Sequence, residues 1–213
     1  MEKDVIIVEK LMLVIKKRVI LNDVSVAFER GKIHGLIGRN GSGKTMLMKC
    51  ICGFIHPTSG SIHVNGKEIG KDIDYPENMG IIIETPGFIS RYSGRKNLKV
   101  LAELNNKIKL EDINDSMSKL GLDPELTIPV RKYSLGMRQR LGLAQAIMED
   151  PDIMILDEPM NGLDKRGVAD VRELLMNLRG QGKTIILASH SSEDIALLCD
   201  KTYEIENGAL SAL

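Results

Sequence analysis

The stretch Gly38-Arg39-Asn40-Gly41-Ser42-Gly43-Lys44-Thr45 decides how this chain is read. It fits G-x-x-x-x-G-K-[ST] at every fixed position. A glycine-rich turn of that spacing lets successive backbone N–H groups point into one concavity that holds phosphate oxygens. Gly41 and Gly43 can take positive φ and leave no Cβ between backbone and ligand. Lys44 puts a cation on the β- and γ-phosphates, and Thr45 offers a hydroxyl to Mg²⁺. Working outward, residues 33–37 (Ile-His-Gly-Leu-Ile) form a short apolar run suited to a buried strand. Residues 46–51 (Met-Leu-Met-Lys-Cys-Ile) are good helix material, and that helix aims its first N–H groups at the same anion. Strand, glycine loop and helix therefore stand in the order the chemistry requires.

The 213 residues make one large domain or two small ones, enough to bury a core. Lys+Arg and Asp+Glu both number 29, which argues against a nucleic-acid-binding protein held by a broad basic surface. Aromatic residues make up 3% and Trp is absent, which argues against base-stacking platforms. No run of 18 apolar residues suggests a membrane span, and Met1-Glu2-Lys3-Asp4 does not read as a signal peptide. Cys50, Cys52 and Cys199 are an odd, sparse set that suits reduced thiols in a cytoplasm. The first two are two apart on a helix and face different sides, so they make no metal pair.

Along the chain, residues 5–8 and 19–28 read as strands, with Asn22-Asp23 as a turn. Residues 61–64 form a short strand, and Asn65-Gly66 is a hairpin signal. Residues 79–84 are another strand, ending at Glu84-Thr85-Pro86-Gly87. From 93 to about 122 the apolar residues Leu98, Leu101, Ala102, Leu104, Ile113, Met117 and Leu120 follow helical spacing, which marks a helical insertion. Residues 128–133 read as an irregular connector and 134–148 as a longer helix, with Leu141, Ala144, Gln145 and Met148 on one side. Residues 152–156 read as a strand, apolar at every position after Asp152, that runs into Asp157-Glu158-Pro159. A helix over 167–178, a strand over 184–188, a short helix over 192–198 and a strand over 201–206 complete the pattern.

Alternating strands and helices imply a mostly parallel sheet covered on both faces. Ligands bind beyond the carboxyl ends of such strands. Three candidate groups follow strands in this way: the glycine loop, Asp157-Glu158 and His190. Asp157 is placed to hold Mg²⁺, usually through water. Glu158 points to the other side of the chain, where a carboxylate can act as general base on an attacking water. His190 alone would read as a core histidine; within this set it reads as a γ-phosphate contact.

Tyr133-Ser134-Leu135-Gly136-Met137-Arg138-Gln139-Arg140 resembles the signature motif of ATP-binding cassette (ABC) ATPases. The glycine loop, the insertion, this signature, Leu-Asp-Glu-Pro, Asn161-Gly162-Leu163-Asp164 and His190 occur in that family's order. More narrowly, the Ser-Leu-Gly-Met form together with Ile-Glu-Thr-Pro-Gly-Phe looks like ATPases of bacitracin and lantibiotic exporters. The resemblance implies an α/β fold of the P-loop NTPase type, with a mostly parallel central sheet, an antiparallel β part near the N-terminus and a helical insertion subdomain. It implies one domain over 1–213, with a core from 1–87 and 150–213 and a helical subdomain over about 88–149. It implies ATP and Mg²⁺ as ligands, catalysis by Glu158, His190 and Lys44, and metal contacts from Thr45, Asp157 and Glu84. Nucleotide contacts would come from residues 38–45, Met46 and Ile15. A second copy would pack head to tail, its Ser134, Leu135, Gly136 and Met137 closing on the ATP, with Asp164 coupling the two sites. The insertion would dock on a separately encoded membrane permease at the cytoplasmic face of the membrane; no nucleic acid is implied.

Five positions depart from the family pattern. Ile15 stands where an aromatic residue commonly stacks on adenine. Met46 replaces a second hydroxyl residue. Glu84 stands where most members have glutamine, as is common in the bacitracin type, and a solvated strand end is the bland reading of it. Leu135 and Met137 replace a Gly and a Gln of the signature. A soluble switch ATPase of the same superfamily is the other class to weigh. The long coiled coil of DNA-repair members has no counterpart here, since no sustained heptad occurs. The paired cassettes of translation members are absent from this sequence, while cluster-assembly members are harder to set aside.

Overall fold

The computed structural model describes residues 4–84 and 87–213. Two sheets organise them. The first is antiparallel, in the order β2-β1-β4-β5, from β1 (Asp4–Ile15), β2 (Arg18–Glu29), β4 (Ser59–Val64) and β5 (Lys67–Glu68). The second has the order β10-β9-β3-β8-β7-β6. Its members are β3 (Ile33–Ile37), β6 (Met79–Ile82), β7 (Ile153–Asp157), β8 (Thr184–Ala188), β9 (Lys201–Glu206) and β10 (Ala209–Ala212). All its pairs are parallel except β9 with β10.

The apolar runs explain the burial. In β7, Ile153 and Ile155 face the core shared with the antiparallel sheet and α1 (Lys44–Ile51), while Met154 and Leu156 face the opposite core. Ile186 and Ile185 of β8 divide in the same way. A strand buried on both faces needs apolar residues at successive positions, and these runs supply them. The opposite core is closed by α2 (Gly94–Asn105), α3 (Leu110–Lys119), α4 (Leu135–Ile147) and α5 (Lys165–Gly180). The last helix, α6, spans Ser192–Leu198.

His34 in β3 is fully buried, and its Nε2–H donates to the Glu29 carbonyl at 3.0 Å. Burial pulls its pKa below the ordinary 6.5. The neutral ring packs edge-on against Phe28 and helps seat the strand that leads into the glycine loop.

Several expectations change. The β1–β2 turn lies at Lys16-Lys17, both left-handed (φ 46° and 66°), not at Asn22-Asp23. Asn22-Asp23 lies inside β2 as a bulge: Leu11 pairs with Val24 and Leu13 with Leu21, so one extra residue is accommodated. Asp23 takes φ 51°, the same left-handed geometry a turn would use, which is why the pair reads as one. The freed Asn22 N–H donates to the Gly208 carbonyl at 2.8 Å. The β9–β10 hairpin was not expected, although Asn207-Gly208 carries the usual signal. Residues 128–133 hold one 3₁₀ turn at Val130–Lys132. Leu104 is 78% exposed and lies off the buried face of α2. Thr85 and Pro86 of the Glu84 turn lie outside the described residues.

Candidate functional site: a phosphate cradle at the strand ends

The glycine loop leaves β3 and enters α1 through Gly43, which takes φ 117° at the N-cap. No side chain caps this helix, so its first N–H groups are left to an outside acceptor. Gly38 takes φ 141°; a Cβ there would lie 2.3 Å from the Ile205 carbonyl oxygen and 2.8 Å from Ser42 Oγ. A Cβ on Gly41 would meet open space, so that glycine is required by its φ of 79° and not by crowding. Ser42 Oγ is buried without a hydrogen-bond partner. Lys44 is 8% exposed and donates to the Gly38 carbonyl at 2.6 Å and the Arg39 carbonyl at 3.1 Å. An ammonium has three donors, so one remains for a ligand. Uncapped amides, an unpaired hydroxyl and a spare ammonium donor make an anion cradle.

The acids stand beside it. Thr45 Oγ1 donates to Asp157 Oδ2 at 2.7 Å, joining the start of α1 to the end of β7. This all-oxygen pair suits a hard cation. Among the described residues no group of three or more His, Cys, Asp or Glu side chains could hold a metal by itself. Mg²⁺ typically takes one or two protein ligands, with phosphate and water completing the shell.

Glu158 sits in left-handed backbone (φ 50°), uncommon outside glycine and often functional. Its N–H donates to the Ala188 carbonyl at 2.9 Å and its carbonyl accepts from Asn161 N–H at 3.2 Å. Gln139 of α4 donates to the Glu158 and Pro159 carbonyls at 3.3 and 2.9 Å. The turn is thus fixed from three sides, which sets the carboxylate's direction. Glu158 Oε2 lies 2.8 Å from His190 Nδ1. An ionised carboxylate only accepts, so Nδ1 carries the proton and Nε2 faces away.

An open cleft of about 1220 Å³ is lined by residues 39–46, Asp157, Glu158, Glu84, Leu135 and Gln139. Arg18, Val19 and Ile20 form another part of its wall, with Ile205–Gly208 close by. Ile15 is not part of the lining; it sits at the end of β1 against the Lys16-Lys17 turn and is 37% exposed. His190 lines the adjoining groove, which it shares with Glu158. Glu84 reaches the cleft, and its Oε1 is 2.7 Å from Lys49 Nζ, one turn beyond Thr45 on α1. Ser134 caps α4, accepting from Met137 N–H at 3.1 Å. Gly136 lies against the Asn161-Gly162-Leu163-Asp164 turn: a Cβ on it would be 3.1 Å from the Gly162 carbonyl oxygen. Asp164 caps α5, accepting from Gly167 N–H at 2.8 Å. Arg140 binds the Leu120 carbonyl at 2.6 Å and approaches Asp170 at 3.5 Å.

The family profile described as ABC transporter matches residues 21–161, which span the cradle, the signature and both acids. The chain belongs to the ABC transporter family. It is the ATP-binding, ATP-hydrolysing component. Among its relatives is the uncharacterized ABC transporter ATP-binding protein YybJ of Bacillus subtilis, 46% identical, covering 92% of this chain and 90% of that one. Bacitracin transport ATP-binding protein BcrA of Enterococcus faecalis is 38% identical over 90% of this chain, which spans 63% of BcrA. Lantibiotic transport ATP-binding protein SrtF of Streptococcus pyogenes is 38% identical, over 86% of this chain and 79% of its own length. A solved ATP-binding subunit of an ABC transporter superimposes with a TM-score of 0.88 at 26% identity, covering 98% of this chain and 90% of that one. This ABC ATPase has no helix long and apolar enough to cross a membrane among the described residues.

Sequence reasoning missed four contributors: Gln139, Arg140, Lys49 and Arg172. Gln139 and Arg140 fall inside the quoted signature stretch, but their partners lie on other elements and leave no local signal. Lys49 and Arg172 act across elements far apart in sequence and leave no spacing signal.

Proposed function

We propose that two copies of this chain close head to tail on two ATP molecules and drive a separately encoded permease that exports a peptide antibiotic or similar compound. The observation that supports this best is the meeting of cradle, Thr45–Asp157 pair and Glu158–His190 pair at the carboxyl ends of β3, β7 and β8. The export of such compounds rests on the likeness to BcrA and SrtF. In this reading residues 1–87 and 150–213 form the nucleotide-binding core, and residues 88–149 contact the permease at the cytoplasmic face. Lys44 and the loop amides hold the phosphates. Glu158 takes a proton from the attacking water, and His190 orients its carboxylate. A His190 ring that donates to Glu158 and to a phosphate oxygen at once is the imidazolium. Ser134, Leu135, Gly136 and Met137 of one copy cover the other copy's ATP with the N-terminus of α4. Asp164 lies between the two sites.

Capture of the tagged chain from solubilised native membranes is expected to bring down one integral membrane protein in near-equimolar amount. Recovery with no membrane partner would instead place the chain among soluble switch ATPases, a reading the relatives' names do not favour.

Thr45, Asp157 and Glu84 would hold Mg²⁺, which supplies charge neutralisation on the phosphates when bound. For Glu84 the argument is electrostatic. Its carboxylate repels phosphate oxygens and is attracted to a metal, and Lys49 holds it at the cleft until then. Glu84→Gln is expected to need more Mg²⁺ for half-maximal ATPase rate while binding metal-free nucleotide at least as well. Superimposable Mg²⁺ titrations would remove Glu84 from the metal site.

A further inference from the structure

The turn that carries His190 is tied to α5 by a chain of hydrogen bonds. Asp194, in the first turn of α6, is 4% exposed. Arg172 of α5 donates from Nε to Asp194 Oδ1 at 2.8 Å and from Nη1 to Glu193 Oε1 at 3.1 Å. The second Asp194 oxygen, Oδ2, accepts from Ser189 Oγ at 3.4 Å. Ser189 Oγ accepts in turn from Ser191 N–H at 3.1 Å, a bond that spans His190. Ser191 Oγ closes the circuit by accepting from Asp194 N–H at 3.2 Å.

His190 itself has little packing: its side chain is 70% exposed. The direction in which it meets Glu158 must therefore come from its backbone, and the backbone is held by Ser189 and Ser191. Those two are held by Asp194. A buried carboxylate is costly unless paired and hydrogen-bonded, and Arg172 supplies the pairing charge. The same helix opens at Asp164.

We propose that Arg172 and Asp194 are positioning residues which, through Ser189, hold His190 against Glu158 and so set the rate of hydrolysis without touching nucleotide. This rests on the reading of Glu158 and His190 given above. Arg172→Met removes the donors while keeping an unbranched apolar stem. Misplacing a reacting group by a small distance can cost up to about 100-fold, so kcat is expected to fall roughly 10- to 100-fold with ATP affinity unchanged. In a His190→Ala background the same substitution is expected to change kcat little, because the group it positions is gone. Ser189→Ala cuts the chain at its other end and leaves Asp194 paired, so it carries the test if Arg172→Met does not fold.

The second readout needs no nucleotide. The chain has four histidines, so ring correlation spectra are simple, and the His190 signal is the one lost in His190→Ala. Arg172→Met and Ser189→Ala are expected to move that signal in the direction that Glu158→Ala moves it. An unmoved His190 signal overturns the proposal, as does an equal loss of kcat in both backgrounds. If His190→Ala hydrolyses at the wild-type rate, the catalytic reading of His190 fails, and the ring spectrum alone decides whether Arg172 positions it.

Discussion

Glu158→Gln is expected to bind ATP normally and to hydrolyse it roughly 10²–10⁴-fold more slowly, the range for loss of a general base. The substitution preserves shape. The bonds that fix the turn, from Glu158 N–H to Ala188 and from Asn161 and the Gln139 side chain to its carbonyl, use only main-chain atoms of Glu158 itself, so the turn stays in place. The amide oxygen can still accept from His190 Nδ1–H. What is lost is basicity: an amide does not take a proton from water. With hydrolysis blocked, the ATP-bound pair of subunits proposed above should accumulate, since in that reading hydrolysis is what separates them. Light scattering with ATP should report a doubled mass for the variant and not for the wild type. A variant that stays monomeric at high concentration and turns over at the wild-type rate would remove Glu158 from the base role. Rate and mass are read together, so that weak association of the subunits alone does not decide the base role.

The parts of the fold legible in the sequence are those where one physical constraint acts on a contiguous run. Strands β3, β7 and β8 are buried on both faces, so apolar residues dominate them at successive positions and the run announces itself. The cradle is legible because backbone geometry demands glycine at fixed spacing and the ligand demands Lys44 and Thr45. Ser134 and Asp164 start α4 and α5 as N-caps, and their side-chain chemistry is local.

Illegible features are those in which one local geometry serves two ends, or in which two distant elements meet. Asp23 adopts a left-handed conformation for a bulge, yet the same preference predicts a turn. Lys16-Lys17 makes the real turn with residues that carry no turn preference, because the pairing of β1 and β2 imposes it. Glu84 and Lys49 are 35 residues apart, and Arg172 and Asp194 are 22 apart. An ion pair between separate elements leaves no period to read. Arg18, Val19 and Ile20 stand in the cleft wall just past the tight turn that ends β1, and the sequence carries no local signal for that placement.

Lys44→Ala is expected to weaken ATP binding by about 10- to 150-fold, the equivalent of the roughly 1.5–3 kcal/mol that a hydrogen bond to a charged group contributes. Lys44 is almost fully enclosed, and two of its donors go to the Gly38 and Arg39 carbonyls. It therefore has two jobs, shaping the loop and meeting the phosphates, and the variant loses both. A ladder of nucleotides separates them. If the charge acts at the β- and γ-phosphates, AMP should bind wild type and Lys44→Ala alike, and the difference should appear with ADP and grow with ATP. If Lys44 only shapes the loop, all three nucleotides should weaken by one common factor, because the amides around the α-phosphate move with it. Calorimetry on the three nucleotides gives the pattern directly. Thermal melting without nucleotide shows whether the two orphaned carbonyls cost stability. Equal ATP affinity in both proteins would mean that the amides at the start of α1 carry the anion alone, and that the ammonium serves only the loop.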